Sequence, residues 1–569
     1  MKKMYPKYVN QNKKDGPSDN YAGRAKRKQQ IIQNNASKFN VSNQRFTDLD
    51  FLKTDDSQIK NNYGKGNCVY LRGTNIGNLF VQESWMSSTE AKDQKAINAV
   101  LEERFGKEGK NSLLGHYENA YLTTEDFNNF KELGMSAIRV PFTYMNFYEK
   151  VTGDSWNLKS NAFDKLDWII EECSERGIYV ILDLHGAFGS QNGQDHSGEV
   201  IENVEDVIFY NDNNLKQLTL GLWKEIASRY KNNPAVAAYD TLNEPGEKAG
   251  KTQSYHWDYY DEIYKAIRSV DPNHIIIFES CWGAEDLPEP SKYDWTNVAY
   301  EFHHYVWDAQ KNLDGQKSAA DSLVNSLKIF NIPIYIGEFT FFELGDAWTY
   351  VLNLFNINGY HYTSWSYKSN NMGTWGIYNQ KGTEKVDVYN TEISEINRIW
   401  GPSNIGTGKP SSNSLVYNKM KENLPGTVFF MKEPLENKNY FTLKVLNTNK
   451  YLSADQYGQS QIKADRDATG TWEHFYFYKN DDQTVSIQSR ANNKFLCAVF
   501  DNWDGKNPVI PRSNQIEDWE RYYIDYVSDN VITIKTKINE KYIKNEETWV
   551  RATGESVDDS TKFEITYLE

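Results

Sequence analysis

Cysteine is scarce in this chain: four residues in 569, Cys68, Cys173, Cys281 and Cys497, all far apart. Neither a disulfide framework nor a CxxC metal site is indicated. Long apolar runs are missing as well. Nothing approaches the roughly 18 consecutive apolar residues of a membrane span, so a spanning protein is excluded. Positive charge is in deficit, with 63 basic against 78 acidic side chains and a net charge of −15. That is the wrong field for a nucleic-acid binder. Neither GxGxxG nor GxxxxGK[ST] follows the first candidate strand, so dinucleotide and P-loop sites lose support. HExxH and GxSxG do not occur, which removes the zinc-peptidase and serine-hydrolase readings. His303 and His304 are adjacent on a strand, so they face opposite ways and cannot chelate one metal together. No metal and no cofactor is indicated. What the chain does have is aromatic side chains, 14% of residues with 38 Tyr and 16 Trp. Flat rings in that number are expected where sugars stack or a cleft stays open.

The first 45 residues carry eleven Lys or Arg against two Asp and show no apolar period. They read as a flexible basic tail that, with its lead-in, extends to about residue 60. Met4-Tyr5-Pro6-Lys7-Tyr8-Val9 does not supply the apolar core of a secretory signal. The sequence as it stands reads as cytoplasmic, or as extracellular if export takes another route or the native start is missing. The basic run Arg24–Lys28 reads as a solvated patch.

From 61 to 400, short β-rich runs alternate with helical patterns, the grammar of parallel strands joined by crossover helices. Phe163, Leu166, Ile169, Ile170 and Cys173 fall at helical spacing, Gly177 supplies a left-handed stop, and Ile178–Leu184 is a continuous apolar strand. Thr123 and Thr124 cap an earlier helix with Glu125 and Asp126 in its first turn. Eight strand candidates centre near Tyr70, Ile138, Val180, Ala238, Ile276, Tyr300, Ile334 and Thr363. Eight strands with intervening helices predict an α/β fold, a (β/α)8 barrel, ahead of a doubly wound open sheet.

Each candidate strand ends in polar residues: Arg139, His185, Asn243-Glu244, His303-His304-Tyr305, Glu338 and Trp365. In a barrel of this kind the C-terminal rim gathers the chemistry, because loops converge there on rigid strands. Two of the rim residues, Glu244 and Glu338, are carboxylates in apolar strand contexts. A carboxylate pair across a cleft suits glycosidic cleavage, one protonating the leaving oxygen while the other attacks the anomeric carbon or activates water. A buried salt bridge to Arg139 is the structural alternative for either Glu. Arg139 beside Glu338 would also keep it ionised and nucleophilic. Glu244 must instead hold a proton near neutrality, which burial and the charge of Glu338 favour.

Asn243-Glu244-Pro245 with Ile336-Gly337-Glu338-Phe339 resembles glycoside hydrolase family 5, retaining enzymes on (β/α)8 barrels, and within it the exo-β-1,3-glucanase type. Gly73–Asn78 and Val81–Met86 are similar to that group's first-strand motif, and Thr123–Phe127 and Ile138–Pro141 to its next segment. Leu182-Asp183-Leu184-His185-Gly186-Ala187, Gly189–Gly193 and Asp195 form the most specific match. The resemblance spans about residues 68–370. It implies that Glu244 is the acid/base, Glu338 the nucleophile, and Arg139, His185, Asn243, His303 and Tyr305 their supporting residues. It further implies that Glu83 and Asp195 hold hydroxyls of a terminal glucose above a Trp365 platform. The sequence departs from the pattern at Leu79, where the group has Trp, at Ser84 for Pro, and at His196 for Asn. Gly246-Glu247-Lys248 and Phe339 differ too. The implied partner is a β-glucan polysaccharide or oligosaccharide, best a β-1,3-glucan, acted on by a monomer that binds no nucleic acid. Another β-glycoside, or a non-catalytic carbohydrate-binding scaffold, are the alternatives.

Residues 401–413 (GPSNIGTGKPSSN) open a segment, 401–435, whose composition reads as a linker. Beyond it, 436–569 shows a threefold repeat. Lys450-Tyr451-Leu452-Ser453-Ala454, Lys494-Phe495-Leu496-Cys497-Ala498 and Lys541-Tyr542-Ile543 recur, and Trp472-Glu473, Trp519-Glu520 and Phe563-Glu564 follow them. Three such units predict an all-β trefoil resembling fascin-like and ricin-type lectin modules. Trp503 and Trp549, outside the repeated pairs, are the candidate sugar contacts.

Overall fold

The computed structural model describes residues 46–568 apart from 67, 153–154, 204–210, 247–253, 282, 425–439, 456–459, 481–483, 500–505 and 529. The basic tail therefore lies outside the described residues.

Eight parallel strands close into a barrel. They are β1 (Arg72–Asn75), β2 (Ala137–Thr143), β3 (Tyr179–Gly186), β4 (Val236–Asp240), β5 (Ile275–Glu279), β6 (Val298–His304), β7 (Ile334–Phe339) and β8 (His361–Ser364). All eight candidate strands of the sequence are present, and β8 closes the ring on β1. The first begins beyond Tyr70. The apolar run before it is used differently: Val69 and Leu71 join Leu52 and Ile59 in a cluster at the barrel floor.

Helices α1 (Gln94–Tyr121) and α2 (Thr124–Glu132) connect β1 to β2, α3 (Asp164–Arg176) precedes β3, and α4 (Asn213–Tyr230) precedes β4. After β4 come α5 (Ser254–Arg268), α6 (Leu313–Leu327) before β7, and α7 (Gly345–Ile357) before β8. Between β5 and β6 stand two 3-10 turns, Ala284–Asp286 and Pro290–Lys292. Local chemistry sets the helix ends. Thr123 and Asp126 form a reciprocal capping box on α2, and Gly177 ends α3 at φ 70°, a conformation an L side chain resists.

The two-residue period of the strands decides what enters the barrel. Along β3, Val180, Leu182 and Leu184 join the core under the helices, while Tyr179 and Ile181 point into the barrel floor. Continuing inward, the next positions are Asp183 and His185. Likewise Ala137 leads to Arg139, Ile277 to Glu279, and Ala299 to Glu301 and His303. An apolar floor thus gives way to a layer of buried charge.

Residues 401–424 are not a linker. Thr407–Pro410 pairs with Tyr378–Gln380, and after α8 (Ile393–Ile399) a further helix, α9 (Leu415–Asn423), inserts Val416 and Met420 into the barrel core. Small polar residues dominate the segment's composition, yet its few apolar side chains fall at helical spacing and are buried. The rest of the expected linker, 425–435, lies outside the described residues.

From 441 onward twelve strands form three units of four: β9–β12 (Phe441–Val445, Lys450–Ser453, Lys463–Arg466, Phe475–Lys479), β13–β16 (Val485–Ser489, Phe495–Ala498, Val509–Ser513, Tyr522–Ser528) and β17–β20 (Val531–Thr536, Tyr542–Glu546, Trp549–Gly554, Lys562–Tyr567). The first and fourth strands of the units pair around a six-membered ring. The second and third form three hairpins. Trp472-Glu473 and Trp519-Glu520 sit in matching 3-10 turns, where Glu473 accepts from Ser453 Oγ at 2.7 Å. Phe563-Glu564 lies within the last strand instead, so the third aromatic–acid pair is not equivalent to the other two. Trp503 is outside the described residues. Trp549 is half-buried with Lys463 Nζ 5.0 Å from its ring centroid.

Candidate active site

Arg139, fully buried, organises the layer above the floor. Its Nε donates to Asp240 Oδ2 at 2.8 Å, Nη1 to Glu338 Oε1 at 3.0 Å and Asn75 Oδ1 at 3.1 Å, and Nη2 to Asn243 Oδ1 at 2.8 Å. Asp183 and Glu301 complete the set, at 3.1 and 3.4 Å. One guanidinium therefore faces four carboxylates in a space closed to water. Burial, with Asp240 as a like charge beside Asp183 and Glu301 beside Asp240, pushes Asp183 and Asp240 well above the ordinary carboxylate range despite Arg139. The carboxylate of Glu301 needs room, and Gly337 provides it. A Cβ on Gly337 would stand 1.5 Å from Glu301 Oε1, so the glycine before Glu338 is fixed by a neighbour on the adjacent strand.

Above this layer His303 joins the two candidate catalytic carboxylates. Its Nδ1 lies 2.8 Å from Glu244 Oε1 and 3.5 Å from Glu338 Oε2, so those oxygens are no farther apart than the two distances together. Its Nε2 faces Glu301 at 3.3 Å and Glu279 at 3.4 Å. Although burial alone opposes a charge there, the carboxylates around it push the imidazole well above its usual range. His304 turns outward among Phe341 and Phe355, where burial lowers it to about 4. The expected opposition of the two histidines is what the strand delivers. Tyr305 donates to Glu338 Oε2 at 2.9 Å.

Glu244 sits in the left-handed region at φ 38°, a strained conformation for a non-glycine residue. Two contacts hold it there: its N–H donates to Glu279 Oε2 at 2.7 Å, and its carbonyl accepts from Asn192 Nδ2 at 3.0 Å. Its carboxyl is bracketed by His303 on Oε1 and by His196 Nε2, 3.2 Å from Oε2. Burial favours the protonated form, as expected from sequence, but charge runs the other way. Hydrogen bonds from His196 and His303 outweigh burial and draw Glu244 well below the ordinary carboxylate range. The effect of Glu338 expected from sequence is offset by two imidazoles.

His185 accepts a fixed role below Trp365: its Nδ1 meets Asp183 Oδ2 at 2.7 Å, and its ring stacks on the indole at 5.4 Å and 3°. Burial lowers it well below its usual range, so it is neutral. Glu83 takes the Trp85 indole N–H at 2.7 Å. Burial first, and then the nearby Asp195 and Glu338, push it up to about 8 against the pull of His196 and Trp85. Two groups place three ligating atoms within 4.8 Å of one another, Glu83 with Asp195 and His196, and Glu244 with Glu279 and His303. In both, carboxylates already meet imidazole or indole donors, so we read them as hydrogen-bond clusters suited to hydroxyl groups.

An aromatic wall runs from this cluster to Glu338. Trp85 meets Trp375 edge-on at 5.1 Å, Trp375 stacks on Trp307 at 5.5 Å, and Trp307 on Tyr305 at 5.7 Å. Trp307 is 38% exposed. All ten residues singled out from the sequence (Glu83, Arg139, His185, Asp195, Asn243, Glu244, His303, Tyr305, Glu338 and Trp365) are thus on one rim or directly below it. Sequence reasoning missed Asn75, Asp240, Glu279 and Glu301. Each occupies an inward strand position, so the two-residue period was the signal that would have found them.

Comparison with known proteins agrees with this geometry. Residues 93–371 match the family described as Cellulase (glycosyl hydrolase family 5). A beta-xylosidase of Phanerodontia chrysosporium is 31% identical over 257 residues, 45% of this chain and 52% of that protein. A probable glucan endo-1,6-beta-glucosidase B of Aspergillus terreus is 28% identical, covering 48% of this chain and 70% of that one. A probable glucan 1,3-beta-glucosidase A of Aspergillus clavatus is 26% identical, covering 48% and 65%. The chain spans about half the length of the xylosidase. The twelve-stranded C-terminal part lies outside the matched family segment. Strands β2 to β8 of the barrel, with Glu244 and Glu338 on one rim, thus lie in the part of the chain, residues 93–371, that is similar to glycosyl hydrolase family 5.

Proposed function

We propose that the protein is a retaining β-glycoside hydrolase acting on β-glucan, with β-1,3-glucan or its oligosaccharides the first substrate. One observation carries the reading: a single nitrogen of His303 reaches both Glu244 and Glu338. That bounds the separation of the facing oxygens below the roughly 6.5 Å at which inverting pairs begin, which favours the retaining arrangement. Glu338, hydrogen-bonded by Arg139 and Tyr305, attacks the anomeric carbon, while Glu244 passes to the departing oxygen the proton that it shares with His196, 3.2 Å from its Oε2. The carboxylate left on Glu244 then draws a proton from water, which hydrolyses the glycosyl-enzyme. Glu83 and Asp195 take sugar hydroxyls, Trp365 carries the apolar face of the same sugar, and the Trp85–Trp375–Trp307 wall carries further units. The relatives' names divide between 1,3- and 1,6-glucans and a xyloside, so linkage is the open variable. Product analysis on β-1,3-, β-1,4- and β-1,6-glucans, mannan and a glucosylated lipid tests it. Oligosaccharide release from the β-1,3-polymer is expected first. Turnover of none of the panel would overturn the reading in favour of a non-catalytic binder.

We read residues 436–569 as a β-trefoil, supported by the six-strand ring with three hairpins, and as a module that binds polysaccharide. A chain ending at residue 424 retains α9 and the complete barrel core. It is expected to keep its rate on soluble oligosaccharides and to lose activity several-fold on insoluble glucan, because a tethered binder raises the local concentration of barrel at the polymer. A pull-down of the C-terminal part with curdlan, cellulose and chitin checks the binding. Capture by none of the three would leave a packing role.

A further inference from the structure

We propose that Glu279 is a positioning residue for the acid, holding the backbone of Glu244 in the left-handed conformation that aims its carboxyl into the site. The proposal rests on the acid role given to Glu244 above. Glu244 lies at φ 38°, a region that a residue with a Cβ enters only when its surroundings force it. The turn after β4 is tied down group by group. The Asn243 N–H donates to the Leu184 carbonyl at 3.1 Å, the Asn243 carbonyl accepts from Gln191 Nε2 at 2.7 Å, and the Glu244 carbonyl accepts from Asn192 Nδ2 at 3.0 Å. Those three partners belong to β3 and the loop that follows it. Of the four groups, only the N–H of Glu244 is held from the other side, by Glu279 Oε2 at 2.7 Å, at the end of β5. With its N–H fixed from one side and its carbonyl from the other, Glu244 cannot turn about its N–Cα bond.

Glu279 is itself anchored. It pairs in register with Glu301 on β6, its carbonyl accepts from the Tyr260 hydroxyl at 2.7 Å, and its side chain is buried. For stability alone the carboxyl is badly placed. Burial pushes it well above the ordinary carboxylate range, and the like charges of Glu301, Glu244 and Asp240 add to that against the pull of His303. An apolar side chain would fill the same space at less cost, but it could not accept the Glu244 N–H. The carboxyl also reaches the acid's other end. Its Oε1 lies 3.4 Å from His303 Nε2, and His303 Nδ1 meets Glu244 Oε1 at 2.8 Å. Releasing the N–H lets φ return below zero, which swings Cβ about the N–Cα bond and carries the acid away from His303 and from the leaving oxygen.

Two replacements in the full chain isolate the hydrogen bond. Glu279→Gln and Glu279→Met are both neutral and similar in length, but only the amide oxygen of Gln accepts the Glu244 N–H. Each is assayed below its melting temperature for kcat/KM on aryl β-glucosides of graded leaving-group ability. In Glu279→Met the poorest leaving groups, which need the acid, are expected to react about 10- to 100-fold more slowly, and the best to stay within about twofold of wild type. Glu279→Gln is expected to keep the wild-type dependence on the leaving group. An equal loss on every leaving group in Glu279→Met, or identical behaviour of the two variants, overturns the proposal. Should Glu279→Met fail to fold, Glu279→Asp, which withdraws the accepting oxygen by one methylene, takes its place with the same expectations. Crystal structures of the variants supply the arm that needs no turnover. Glu244 is expected to leave the left-handed region in Glu279→Met and to remain there in Glu279→Gln; a Glu244 that stays left-handed in Glu279→Met also overturns the proposal. Absence of glucoside turnover by the wild-type chain would instead sink the hydrolase reading, so the two failures are told apart.

Discussion

Glu338→Gln is expected to lower turnover by on the order of 10^4- to 10^6-fold, the scale on which removal of an enzyme nucleophile is felt. The side chain loses its ability to attack while keeping its size; its amide oxygen still accepts from Arg139 Nη1, and the Tyr305 hydroxyl can turn to accept from the new amide N–H. Stability should change little, and substrate affinity should survive. Glu244→Gln behaves differently. An activated aryl leaving group needs little protonation, so its departure should continue while polymer cleavage collapses by about 10^2- to 10^4-fold. Azide should restore turnover in Glu338→Ala with an α-glycosyl azide and in Glu244→Ala with a β-glycosyl azide. NMR of the first product of the wild-type enzyme should show retained β configuration; an inverted product would sink the double-displacement assignment.

Arg139→Met should be the most destabilising single substitution in the barrel interior. The guanidinium is fully buried and neutralises Asp183, Asp240, Glu301 and Glu338 within 3.4 Å. Removing one partner of a buried ion cluster leaves uncompensated charge, at a cost of about 3–5 kcal/mol. In a domain of this size that lowers the melting temperature by roughly 4–6 °C. The loss depends on pH, and its sign follows from linkage. Burial already raises Asp183 and Asp240 in the folded protein. Without the cation they rise further, so the folded state binds more protons than the unfolded chain and stability falls as pH rises. The deficit should be largest above neutrality and shrink as pH drops toward the ordinary carboxylate range. Melting curves from mildly acidic to mildly alkaline pH check this. A pH-independent deficit would mean that lost packing, not charge, dominates.

Much of this architecture was legible before any coordinates. The helix-strand alternation, the Gly177 stop and the Thr123–Asp126 cap are local signals, and local signals survive in the one-dimensional pattern. The rim residues were legible for the same reason, since each follows an apolar strand directly. The misreadings share a cause. The Ser- and Gly-rich segment after Trp400 looked like a linker because composition averages over the few apolar residues that decide burial. Phe563-Glu564 looked like a third copy of the Trp-Glu turn because a dipeptide does not record whether it lies in a turn or a strand.

The amino-acid sequence by itself determined the barrel, the all-β repeats that follow it in the chain and the two carboxylates on one rim. Only the tertiary structure decided how those carboxylates are charged. Protonation depends on what lies within a few ångströms in space, and the deciding neighbours come from distant parts of the chain. Arg139 on β2 meets Glu338 on β7, and Glu301 on β6 fills the space left open by Gly337. His303 and His196 close on Glu244 from its two carboxylate oxygens. Hydrophobic periodicity encodes which side chains turn inward, but a shared proton is placed by distances that no linear pattern carries.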